Sequence, residues 1–335
     1  MTARSAATGA LRRSFDRLPD HLRDDVRRSA ATVRGLGQVK RNQAALALRV
    51  AELERRQRVA DAEPCDPRFG PGTLSRTCTQ DQVESPWFRT WCEALGEEPV
   101  AHRKLWEWAY LVRTLSELDQ LRPGRRGLGF GVGRESMVAF IAGQGCEVVA
   151  TDLAPDAAEA LLWTNADQHA SGLLEDLARP DLCPPDAFAE RVTWRPVDMR
   201  DVPTDLTGFD FCWSACAFEH LGSIPAGLDF VARSVATLQP GGIAVHTTEL
   251  NVGSDTDTIE SGPTVLFRRR DLEGLAERLE GEGHEVALLH LEDGTGALDE
   301  YVDVPPYVEE PHLRLLYRNH VTTSVALVIR AGGRP

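Results

Sequence analysis

The chain offers no C-x-x-C pair. Its seven cysteines, at 65, 78, 92, 146, 183, 212 and 216, are scattered. That argues against a disulfide framework and against a structural zinc site. No stretch approaches the ~18 uninterrupted apolar residues of a membrane span. The first residues, MTARSAATGALRRSF, lack the apolar core of a secretory signal, so a cytoplasmic protein without a membrane partner is expected. What is present is ordinary globular composition: 335 residues, 42% apolar and 26% charged. The length allows one large domain with an appendage, or two small ones.

Charge is unevenly placed. Residues 1–60 hold 14 Lys/Arg against 6 Asp/Glu, a net of +8, while the remainder holds 23 against 45, a net of −22. So acidic a main body is a poor partner for nucleic acid, although the basic arm could touch a polyanion. That arm reads as helical. From Leu36 to Gln57, positions 36, 39, 43, 46, 50, 53 and 57 repeat at 3-4 spacing. The stripe suits either a short coiled coil joining protomers or one helix packed on its own domain.

Three segments follow from the pattern: the arm over 1–60, a linker and helical cap over 61–123, and a main domain over 124–335. Residues 61–77 carry three prolines and two glycines without periodicity, which predicts a linker. Helices are predicted near Trp87–Leu95 and over Val100–Leu121, the latter stopped by Pro123-Gly124. From Arg126 strands alternate with helices. Strands are expected at 126–130, 147–151, 191–195, 209–213, 242–248, 283–290 and 321–330, with helices at 134–144, 156–164, 226–237 and 270–281. This is the signature of an α/β fold with an open, mostly parallel sheet and helices on both faces. A loop-rich stretch, 291–318, precedes the last strand, which suits an antiparallel closing strand.

Residues 126–135 read RGLGFGVGRE, at a strand end and a helix start. Gly129, Gly131 and Gly133 permit a tight turn and close approach of a ligand to the backbone. A dinucleotide loop wants G-x-G-x-x-G. Counting from Gly129 or Gly127, the third glycine would fall on Arg134 or Val132, so neither frame fits. The next strand ends in Asp152, 23 residues after Gly129, where a carboxylate can accept from both hydroxyls of a ribose. The third strand is followed by Asp198-Met199, placed to read an adenine amine. FDFCWSACAFEHLGS follows the fourth strand's start, and LQPGG precedes the fifth.

In this order the motifs resemble the class I S-adenosylmethionine (SAM)-dependent methyltransferases, over about Gly124 to Ala331. The resemblance implies a Rossmann-like sheet of seven strands, the last antiparallel, with SAM as co-substrate lying across Gly129–Gly133. Carried over, Asp152 would hold the ribose, Asp198 the adenine amine, Met199 the adenine face, and Ser214 or Ala215 would lie near the methionine part. One departure stands out: the family often has an acid two residues before the first motif glycine, and that position is Gly127. The upstream HRKLWE block and EPHLRLLYRNHVTTS are also similar to a bacterial subgroup associated with glycan or specialised-metabolite methylation.

Methyl transfer needs an in-line acceptor at ~3 Å and exclusion of water. A sugar hydroxyl also benefits from a general base. The candidates are Glu219-His220, and His246 with Glu249, both expected to open onto the SAM mouth. The same four residues could bind a divalent ion through imidazole and carboxylate. Some small-RNA 2′-O-methyltransferases have another Glu three residues before a similar Glu-His pair, and that position here is Cys216, so no metal site is assigned. His102, Arg103 and Lys104 could meet the SAM carboxylate or an anionic substrate. Trp106 or Trp108 could wall a sugar site, the two lying on opposite faces of one helix. Tyr301, Tyr307 and His312 fall in the insertion where this fold builds its acceptor pocket. The expected function is transfer to a hydroxyl of a sugar, glycan or glycosylated metabolite. Transfer to an amine, cyclisation or cleavage of SAM itself, and a non-catalytic SAM-binding scaffold that dimerises through the N-terminal helix remain as alternatives.

Overall fold

A computed structural model describes residues 20–57, 64–70, 72–154 and 174–333. The expected helix at 156–164 lies outside the described residues. The chain divides into two compact units, Met1–Val50 and Ala51–Pro335. The helix α1 (Asp20–Gln57) makes up the described part of the first unit and runs on into the second. Along it Leu36, Val39, Leu46, Val50 and Leu53, of the apolar stripe expected from the heptad spacing, are exposed. No described helix is long and apolar enough to cross a membrane.

In the second unit the longer helices are α2 (Pro86–Ala94), α3 (Arg103–Glu117), α4 (Met137–Gly143), α5 (Pro185–Arg191), α6 (Ile224–Val235) and α7 (Arg269–Gly281). The strands are β1 (Ser75–Thr77), β2 (Arg126–Phe130), β3 (Glu147–Asp152), β4 (Val192–Pro196), β5 (Phe209–Ala215), β6 (Leu238–Asn251), β7 (Glu285–Val286), β8 (Leu289–His290), β9 (Val302–Asp303), β10 (Arg314–Tyr317) and β11 (His320–Arg330). The sheet runs β4-β3-β2-β5-β6-β11, the first five parallel and β11 antiparallel to β6. With β7 beyond β11, these are the seven strands of the expected Rossmann-like fold. The other four short strands join the same sheet, bringing it to eleven.

The central strands are covered on both faces and read as apolar runs; every residue of β5 is buried. Close packing dictates two glycines of β2. A Cβ on Gly127 would stand 2.4 Å from Phe211 Cζ, and one on Gly129 would stand 2.5 Å from Trp213. Residues 75–77, expected as linker, instead form β1, buried between β11 and β8. The helix expected to reach Leu121 stops at Glu117. Asp119 takes a left-handed φ of 58°, and the Gln120 amide donates back to the Leu115 carbonyl. α3 packs across β5, β6 and β11 and so forms a structural layer on the sheet.

Candidate active site

A cavity of about 400 Å³ opens beyond the carboxyl ends of β2, β3, β4 and β5. That is the crevice where open α/β sheets take ligands, and the volume suits a molecule of nucleoside size or larger. Its wall comes from each strand tip in turn. The loop after β2 supplies Gly131, Gly133, Arg134 and Glu135, the β3 tip Asp152 and Leu153, the β4 tip Val197, Asp198, Met199 and Arg200, and the β5 tip Ala215, Cys216 and Ala217. Lys104 and Trp108 of α3, with His220 and Leu221, complete it.

Gly131 (φ 57°) and Gly133 (φ 53°) both sit in left-handed backbone, which glycine adopts without cost. A Cβ on Gly131 would press within 2.9 Å of Ala217. The loop is braced by the acid beside it: Gly133 N–H donates to Asp152 Oδ2 at 3.0 Å and Leu153 N–H to Oδ1 at 2.8 Å. Asp198 is held by Arg200, which donates from Nε and Nη2 at 3.0 and 2.7 Å and from its backbone N–H at 2.8 Å. Those hydrogen bonds hold the Asp198 carboxyl below its ordinary pKa.

His220 follows in a single 3-10 turn, Phe218–His220. Its Nδ1 meets the Pro263 carbonyl oxygen at 2.9 Å and Thr264 Oγ1 at 3.2 Å. A carbonyl can only accept, so Nδ1 carries the proton and Nε2 is the basic nitrogen. Glu219 Oε1 lies 3.8 Å from that Nε2, while Oε2 accepts from Thr248 Oγ1 at 3.0 Å.

Residues 128–246 match the sequence family described as a methyltransferase domain. That stretch runs from β2 into β6 and holds the glycine loop, Asp152, Asp198 and His220. Among solved structures it is similar to the CurJ carbon methyltransferase, at 15% identity and a TM-score of 0.37, over 69% of this chain and 54% of that one. It is also similar to a putative sarcosine dimethylglycine methyltransferase from Galdieria sulphuraria, at 13% identity and a TM-score of 0.40, over 75% of this chain and 100% of that one. A third is the 1,6-didemethyltoxoflavin-N1-methyltransferase of Burkholderia thailandensis, at 17% identity and a TM-score of 0.37, over 65% of this chain and 74% of that one. The chain thus spans about half the length of the CurJ structure. No curated protein sequence matches it.

The fold brings Gly131, Gly133, Asp152, Asp198, Met199 and His220 onto one cavity and leaves other expected residues off it. Gly129 faces Trp213 and Val132, not the cavity. Ser214 is fully buried and hydrogen-bonds His246; its neighbour Ala215 lines the cavity instead. His246 is the clearest correction. It lies within β6 and is fully buried, with Nδ1 on Ser214 Oγ and Nε2 on Ser234 Oγ, both at 2.8 Å. Burial pushes its pKa down to about 3, so it is a neutral, satisfied core imidazole and not a base at the mouth. Trp106 is fully buried, donates to Gln82 Oε1 at 2.8 Å and stacks on Tyr110; Trp108 is the tryptophan on the cavity. His102 caps α3, its Nδ1 accepting from the Lys104 N–H, and its ring stacks on His312 at 4.7 Å. Tyr307 donates its hydroxyl to the Leu316 carbonyl and is 43% exposed. Neither Tyr301 nor Tyr307 lines the cavity.

Beneath the cavity lies an ionic cluster that the sequence did not announce. Glu107, fully buried, accepts from Thr247 Oγ1 at 2.9 Å, from Ser324 Oγ and from Cys216 Sγ, and its carboxylate sits 3.3 Å from Arg103 and 3.9 Å from Lys104. Arg103 also pairs with Glu249, which therefore faces α3 and not an acceptor. Burial raises the Glu249 pKa, but Arg103 and Lys104 outweigh it and the net shift is downward. Ligand atoms of Cys216, Glu219 and Glu249 lie within 4.8 Å of one another. The Arg103 guanidinium already reaches two of these three, contacting Cys216 Sγ at 3.6 Å, so it supplies the positive charge a metal would bring. Glu107→Ala leaves Arg103 and Lys104 short of a counter-charge. Denaturant titration is expected to show a loss of about 3–5 kcal/mol, and a loss under ~1 kcal/mol would contradict this account.

Proposed function

We propose that the protein transfers the methyl group of SAM to a hydroxyl of a small acceptor, a sugar or glycosylated metabolite, with His220 as general base. One observation carries this reading: His220 shares a cavity with the glycine loop and Asp152, and its Nδ1 proton is committed to Pro263, which makes Nε2 the proton acceptor. A hydroxyl is too weak an acid to lose its proton unaided, and a positioned base typically contributes ~10²–10⁴-fold. The nearby Glu219 carboxylate would stabilise the imidazolium that forms. The sulfonium itself supplies the activated methyl, so the protein's remaining tasks are alignment and exclusion of water.

The test is mass spectrometry of products after incubating the protein with SAM and an acceptor panel of sugars, glycosides and amines. S-adenosylhomocysteine together with an O-methylated product is expected. Methylation confined to amines would remove the hydroxyl reading. Methylthioadenosine without a methylated acceptor would mean that SAM itself is cyclised or cleaved.

A further inference from the structure

The sheet order gives the cavity a direction. Its wall passes from the β4 tip to the β3 tip, then the β2 loop and the β5 tip. With the adenosine end at Asp198 and Asp152, the other end of SAM would fall towards Gly131, the β2 loop and α3, which line the rest of the cavity. That end is an amino acid, with one ammonium and one carboxylate. The position two residues before Gly129 is closed to any side chain here. Gly127 has Phe211 Cζ 2.4 Å from where its Cβ would stand and has no room for a side chain.

Two other charged groups stand at this end. Glu135 comes two residues after Gly133 and lines the cavity; its Oε2 is buried with no hydrogen-bond partner among the described residues. A buried carboxylate oxygen left without a donor is costly unless a ligand completes it. Trp108 Nε1, on α3, is also buried; it stands near enough to Glu135 to favour the carboxylate but makes no well-formed hydrogen bond among the described residues. Lys104, one turn before Trp108 on α3, also lines the cavity, with its ammonium 3.9 Å from Glu107.

We propose that Glu135 and Lys104 form a clamp for the amino-acid end of SAM, Glu135 accepting from the ammonium and Lys104 pairing with the carboxylate. The clamp rests on the SAM reading of this cavity. It also carries a pH signature. Burial pushes the Glu135 carboxyl up to about 8; the charges of Glu107 and Asp152 add to the rise, while Lys104 and the Trp108 indole oppose it. At neutral pH the empty site therefore holds mostly the protonated acid. An arriving ammonium favours the carboxylate, so binding releases a proton, and affinity rises with pH until about 8.

Calorimetry on the full chain tests this with three ligands: S-adenosylhomocysteine, its decarboxylated analogue and 5′-methylthioadenosine, which lacks the amino acid. Glu135→Gln is expected to weaken S-adenosylhomocysteine roughly 10–100-fold and to abolish the pH slope. Lys104→Met is expected to weaken it to a similar degree without changing the affinity of the decarboxylated analogue. Both variants are expected to bind methylthioadenosine as the unaltered protein does, which also shows that they are folded. Unchanged S-adenosylhomocysteine affinity in either variant, or an equal loss with methylthioadenosine, overturns the clamp. If the unaltered protein binds none of the three, the SAM reading itself falls and the clamp with it.

Discussion

Asp152→Ala is expected to remove measurable SAM binding. The carboxylate closes β3 and faces the cavity, and its two oxygens already accept from the backbone amides of Gly133 and Leu153. A carboxylate oxygen can accept more than one hydrogen bond, and a carboxylate at this strand tip suits the paired hydroxyls of a ribose. A hydrogen bond to a charged group contributes about 1.5–3 kcal/mol, so losing two costs at least about 3 kcal/mol, or more than ~100-fold in affinity. The same change releases the glycine loop from its brace, which adds to the loss. Asp152→Asn keeps one acceptor and the shape, and should fall between the two. Titration with S-adenosylhomocysteine measures both, with circular dichroism confirming that the fold persists. Near-normal affinity in Asp152→Ala would remove the ribose assignment and the direction given to the cavity.

How much of this could be read from the chain depends on the range over which each feature is decided. The five parallel strands were legible because each is a short apolar run between turn residues, as in EVVATD and FDFCWSA, and the fold fixes where their tips fall. Hence Gly131, Gly133, Asp152, Asp198 and Met199 line one cavity. The strand Ser75–Thr77 was not legible: three polar-leaning residues become a strand only because β11 and β8 lie on either side. His246 misled because its strand was expected to end near 248. In fact β6 runs on to Asn251, which leaves the imidazole mid-strand in the core. Trp106 and Trp108 could not be told apart because α3 is buried around most of its surface, so helical spacing singles out no exposed face. The Arg103–Glu249 pair joins residues 146 apart and has no local signal at all. Glu135 did have one, an acid two residues past the last motif glycine, but only its buried place on the cavity wall gives it meaning.

His220→Ala should separate binding from chemistry. The imidazole is on the cavity wall, yet its hydrogen bonds run to Pro263 and Thr264, outside the glycine loop and the acids that would hold SAM. SAM affinity is therefore expected to stay within a few-fold, while kcat for a hydroxyl acceptor falls roughly 10²–10⁴-fold. Glu219→Gln should give a smaller fall of the same kind, because that carboxylate acts only through the imidazolium. His246→Ala supplies the contrast. It strands the hydroxyls of Ser214 and Ser234 and should lower stability by about 1–3 kcal/mol, with turnover per folded molecule retained. Single-turnover measurements at saturating SAM distinguish these outcomes. Full turnover in His220→Ala would transfer the role of base to another group, or would mean that the acceptor arrives as a neutral amine that needs none.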